Sequence, residues 1–116
     1  DDTVASIAGE NYRIMWAGAV LLAPLTEETL VRGLIFGNLR RWSRPAAYGA
    51  AAAVFAAMHV LPYLGQMDAL SICYNILVYG LPSLALCACY EYAGTIWAPV
   101  GLHMIINALG MSAMGG

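Results

Sequence analysis

The chain has 116 residues, of which 61% are hydrophobic and 10% charged, with a net charge of −2, and its mean hydropathy is +0.69. That length bounds it to one domain, the polarity is that of a membrane bundle, and the small acidic balance excludes a basic surface for nucleic acid. The three cysteines, Cys73, Cys87 and Cys89, share one apolar segment, and an odd count without CxxC or Cys/His spacing argues for packed or lipid-facing thiols rather than disulfides or a thiolate zinc site.

The chain opens on Asp1-Asp2 rather than methionine and shows no positively charged n-region with a cleavage site, so residues 1–116 are expected to be a single core cut from a longer membrane protein. The first apolar segment runs from about Ile14 to Leu39. Inside it stand Glu27, Glu28 and Arg32. A charge at bilayer depth costs roughly 2.5–3.5 kcal/mol on insertion scales, so three in one span mark a functional site by default. Glu28 and Arg32 are i, i+4 neighbours in the favourable acid-before-base order, which predicts an ion pair. Glu27 points about 100° away and is left without that partner. A carboxylate so placed in a low-dielectric pocket suits a general base that deprotonates water.

Arg40, Arg41 and Arg44 cluster in the joint that follows, and the next joint has no basic residue. The positive-inside rule therefore puts the first joint in the cytoplasm, with the cavity open to that side. The second segment, about Ala46 to Pro62, is short for a span, which takes about 17–25 residues. It carries Phe55 and His59, and Gly49, Ala53 and Ala57 read as a small-residue contact face, like Gly33 and Gly37 in the first segment. The third, about Ser71 to Tyr90, contains Pro82, which like Pro24 frees a backbone carbonyl and is expected to bend its helix. Tyr74, Asn75 and Tyr79 lie in it, and the sequence leaves open whether they face a cavity or headgroups. The fourth, about Thr95 to Met114, carries His103 and Asn107. The fold expected is an all-α polytopic membrane bundle of about four transmembrane helices.

At 1.5 Å per residue from the cytoplasmic ends, Glu27 and His59 both lie about 20 Å deep and His103 about 12–18 Å. A common level points to one intramembrane site. His59 would share the water or donate to the leaving amine, and His103 and Asn107 carry donors for an oxyanion. No serine or cysteine occupies a matching position.

The run Ala23-Pro24-Leu25-Thr26-Glu27-Glu28-Thr29-Leu30-Val31-Arg32-Gly33, then Phe55xxxHis59, then Ile96-Trp97-Ala98-Pro99 followed by His103xxxAsn107, resembles the CPBP family, also called Abi, of CAAX prenyl proteases and bacteriocin-processing enzymes. Its signature is EExxxR, FxxxH and HxxxN or HxxxD on successive helices. The resemblance covers about Met15 to Asn107 and departs at Val31, where many members have phenylalanine. It implies an intramembrane endopeptidase acting on a membrane-associated substrate, prenylated CAAX-type or bacteriocin- or pheromone-type. Glu27 and His59 would activate water, His103 and Asn107 would hold the oxyanion, and Glu28 and Arg32 would support them. The family is often labelled a metalloprotease; no cofactor is expected here, with a zinc site on Glu27, His59 and His103 as the less favoured alternative. Glu27, His59 and His103 have zinc-ligand chemistry without HExxH spacing, and asparagine is a poor ligand. The alternatives are a non-catalytic membrane scaffold or bacteriocin self-immunity protein. A proton-coupled carrier is disfavoured because no inverted repeat is present.

Overall fold

In lipid every backbone N–H and C=O must find a partner inside the protein, and a helix supplies one within its own segment. The computed structural model, which describes residues 2–115, meets this demand with helices almost throughout. Asp1 and Gly116 lie outside the described residues. The first long rod comprises α1 (Asp2–Ala17), a π-helical turn (Gly18–Leu22), α2 (Ala23–Glu28), a π-helical stretch (Thr29–Phe36) and α3 (Gly37–Leu39). After a turn come α4 (Arg44–Val60), a 3₁₀ segment (Leu61–Gln66), α5 (Ala69–Ala93) and α6 (Trp97–Gly115).

Among the described residues three helical runs are long and apolar enough to cross a membrane, Gly9–Leu39, Arg44–Gln66 and Ala69–Ala93. The second run is therefore not short, because the 3₁₀ turn that begins at Leu61-Pro62 lengthens it to 23 residues. The fourth apolar segment forms the 19-residue α6. Together they make an all-α polytopic bundle, whose lipid-facing surface carries exposed Leu22, Leu70, Leu81, Ile105 and Leu109.

The joints are set by local chemistry. Ser43 is extended and accepts a hydrogen bond from the Ala46 N–H, with Pro45 just inside α4, a combination that starts a helix. Asp68 does the same for the Ser71 N–H at the head of α5. That bond, joined by hydrogen bonding from the Ser71 side chain, holds the Asp68 carboxyl below the usual carboxylate range. Gly94 ends α5 with φ +74°, a left-handed conformation in which a side chain would be strained.

The first and third joints lie on the same side of the bundle. Arg44 meets Glu91 at 2.7 Å, Tyr48 donates to the same Glu91 oxygen at 2.6 Å, and the Arg40 guanidinium lies 5.0 Å from the Tyr90 ring centre. The core is built on the face of α4 that presents Ala47, Ala51 and Phe55, packed with Val31, Phe36 and Cys87. This corrects the small-residue reading of that helix. Gly49 and Ala53 are exposed and Ala57 only half-buried, because the alanines that permit close approach lie on a different face. Gly37 does sit tightly, since a Cβ there would come within 3.3 Å of the Arg32 carbonyl oxygen, but at Gly33 it would meet only ordinary contacts. Val31 is fully buried in the core and does not line the cavity described below.

Candidate active site

The acid pair stands at the junction of α2 and the π-helical stretch, and the local sequence favours irregular turns there. Thr26 and Thr29 bond back to the carbonyls of Leu22 and Leu25, at 3.0 and 2.6 Å. Such bonds bend helices, and Pro24 offers no N–H to the preceding turn, which is the π-helical one. Widened turns of this kind recur at functional sites because they re-aim side chains.

Here they direct three charged groups to three neighbours. Arg32 is fully buried, with its Nε 3.2 Å from Glu28 Oε1. That approach is a charge contact without hydrogen-bond alignment, and both atoms lack a hydrogen-bond partner. The aligned bonds of Arg32 go to α5, where its Nη2 donates to the Ser83 carbonyl at 2.7 Å and to the Ser83 hydroxyl oxygen at 2.8 Å. The Ser83 hydroxyl in turn donates to the Ala51 carbonyl of α4 at 3.3 Å. The guanidinium also lies 5.1 Å from the Phe55 ring centre.

His103 of α6 bridges the two carboxylates. Its Nδ1 is 2.8 Å from Glu28 Oε2 and its Nε2 is 3.4 Å from Glu27 Oε2. Adjacent acids on one helix thus converge on a single imidazole, an arrangement that the expected 100° divergence did not anticipate. On the other side His59 brings Nε2 to 3.6 Å from Glu27 Oε1. Its Nδ1 faces the Phe55 carbonyl at 2.7 Å, and since a carbonyl only accepts, Nδ1 carries the proton. Glu27 therefore has an imidazole at each oxygen, and its Oε2 is buried without a hydrogen-bond partner. Asn107 donates one amide hydrogen to the Ala19 carbonyl at 2.8 Å, which ties α6 to the π-helical turn Gly18–Leu22 and leaves the second hydrogen for another acceptor.

A cavity of about 180 Å³ abuts these groups, lined by Phe55 and His59 of α4, Tyr79, Pro82 and Leu86 of α5, and His103, Ile106 and Asn107 of α6 among others. Two residues of this neighbourhood were not assigned from sequence. Tyr79 turns to the cavity and stacks on His59, whereas Tyr74 is exposed and Asn75 bonds to Ser71. Ser83 had no motif to mark it. The signal available was a hydroxyl directly after a mid-helix proline in a lipid-depth segment.

The set can also be weighed against a metal. Although the donor types suit zinc, the imidazoles flank opposite oxygens of Glu27, and among the described residues no three His, Cys, Asp or Glu side chains form a group that could hold an ion.

A family model described as type II CAAX prenyl endopeptidase Rce1-like matches residues 9–109. The chain belongs to the Rce1-like family. No curated protein and no solved structure matches it. The Rce1-like match runs from the start of the first membrane run to beyond Asn107, so all three motif pairs lie within it. With that membership and its three spanning helices, the chain is an integral membrane protein of a protease family whose substrates are membrane-associated proteins.

Proposed function

We propose that the chain is an intramembrane endopeptidase that hydrolyses a peptide bond near the end of a prenylated, CAAX-type membrane-associated protein, using water activated by Glu27 and His59. The observation that carries this reading is the seating of one half-buried carboxylate between two imidazole Nε2 atoms beside a cavity. A water between Glu27 Oε1 and His59 Nε2, which stand 3.6 Å apart, can donate a hydrogen to each. As its oxygen attacks the scissile carbonyl carbon, Glu27 takes the proton and the carbonyl oxygen becomes an oxyanion. His103, in its imidazolium form, donates from Nε2 to that oxyanion, joined by the second amide hydrogen of Asn107. When the C–N bond breaks, the proton held by Glu27 passes to the leaving amine. Glu28 and Arg32 touch no substrate in this scheme. Glu28 accepts from His103 Nδ1 and fixes which nitrogen faces the oxyanion, the role a carboxylate plays behind a catalytic histidine.

The substrate class rests on the Rce1-like family match, and entry from the cytoplasmic side rests on the arginine-rich first joint. Cleavage of a farnesylated CAAX peptide by the purified chain in lipid tests the activity. Glu27→Gln is expected to abolish turnover with the fold intact, because the amide keeps the shape but cannot take the water's proton. Wild-type turnover is expected to survive exhaustive chelation, with well under one zinc per chain by elemental analysis. Activity lost on chelation and restored by zinc alone would overturn the water-activation scheme.

A further inference from the structure

We propose that Tyr79 is the positioning residue for His59, an inference that rests on the water-activating role given to that histidine. Two polar contacts hold His59. Its Nδ1 donates to the Phe55 carbonyl, and its Nε2 approaches Glu27 across 3.6 Å, too far to lock the ring by itself. The χ2 torsion of a histidine is broad, so a ring held by one hydrogen bond can rock and carry Nε2 away from its target.

The rest of the restraint is aromatic. The Tyr79 ring lies 4.4 Å from the His59 ring centre with an interplanar angle of 14°, a stacked contact. Phe55 lies 4.6 Å away at 41°. The imidazole thus sits between two rings from different helices, and only the Tyr79 contact is near parallel, so it sets the plane of the imidazole. A rotation of that plane would push the imidazole edge into the phenol face. Nε2 is held in the direction of Glu27 Oε1 as a result. Tyr79 also lines the cavity. The third span carries none of the recognised motif residues. The stack gives it a part in aligning the water through a residue on another helix.

The test uses the fact that the chain has two histidines. In detergent micelles, imidazole NMR of the full chain, assigned with His59→Gln, is expected to show upfield ring-current shifts for the His59 ring protons and a single Nδ1–H tautomer. Tyr79→Phe should keep both and keep kcat. Tyr79→Leu should reduce the shifts to the part that Phe55 supplies and lower kcat by about 10–100-fold, the scale of a misplaced reacting group, and should cost nothing further in the His59→Gln background. Tyr79→Met replaces the leucine variant if that one does not fold. Unchanged His59 shifts in Tyr79→Leu overturn the stack. Reduced shifts with unchanged kcat overturn the positioning role. Cleavage that Glu27→Gln fails to abolish would instead sink the reading of the site, which is a separate result from Tyr79→Leu leaving Glu27-dependent cleavage untouched.

Discussion

Arg32 is buried among three helices with its charge facing Glu28 and its hydrogen bonds given to Ser83. Removing one member of such a pair leaves the other charged and dry, which costs on the order of 3–5 kcal/mol. Glu28→Gln is therefore expected to lower the thermal midpoint in detergent sharply, in contrast to Glu27→Gln, whose neighbours are two histidines at longer range. Equal losses in the two variants would count against the division of roles. Ser83→Ala tests the far end of the same chain of contacts. The carbonyl contact survives, but a hydroxyl partner of a charged group is lost, worth about 1.5–3 kcal/mol. A melt indistinguishable from wild type would show that Ser83 does not anchor Arg32.

At the level of elements, the starts of α4 and α5 each depend on one side chain. Asp68 caps α5 through the Ser71 N–H, and its carboxyl is held below its usual range by that bond. A depressed carboxylate contributes stability above its unfolded-state pKa and loses it as pH falls through the folded value. Wild-type protein is thus expected to lose a little stability below about pH 4, where an aspartate protonates. Asp68→Asn, which still accepts through its amide oxygen, should lack that acid-side component in melts taken at several pH values. Much of this architecture was legible beforehand. Long apolar runs, the Ser43-Arg44-Pro45 start and the Gly94 stop are local signals. Glu27, His59 and His103 could be grouped because helix rise turns sequence position into depth. What could not be read was direction around each helix axis. The π-helical turns shift the face on which Glu27 and Glu28 emerge, so their meeting at His103 has no signature in residue spacing. The contact face of α4 was misplaced for a related reason. Alanines occur on several sides of that helix, and only the partner helix selects among them.

Across the whole molecule, the clamp of Arg44, Tyr48 and Glu91 fixes the first and third joints to one side. With the arginine excess there, that side is expected to be cytoplasmic. In a cysteine-free background, Ser43→Cys should react only with reagent that enters the cell and Gln66→Cys with impermeant reagent outside. The reverse pattern would invert the topology and the side from which substrate enters. The placing of the site on several helices has a further consequence. Glu27 belongs to α2, its flanking imidazoles to α4 and α6, and Arg32 is anchored on α5. During synthesis the spans enter the bilayer in chain order, and of the helices that carry the set α6, with His103, enters after the others. No shorter nascent chain holds the complete set, so a water-activating centre cannot exist in a half-inserted protein. If the proposed water activation holds, the order of insertion acts as a safety catch, keeping that centre incomplete until α6 is seated.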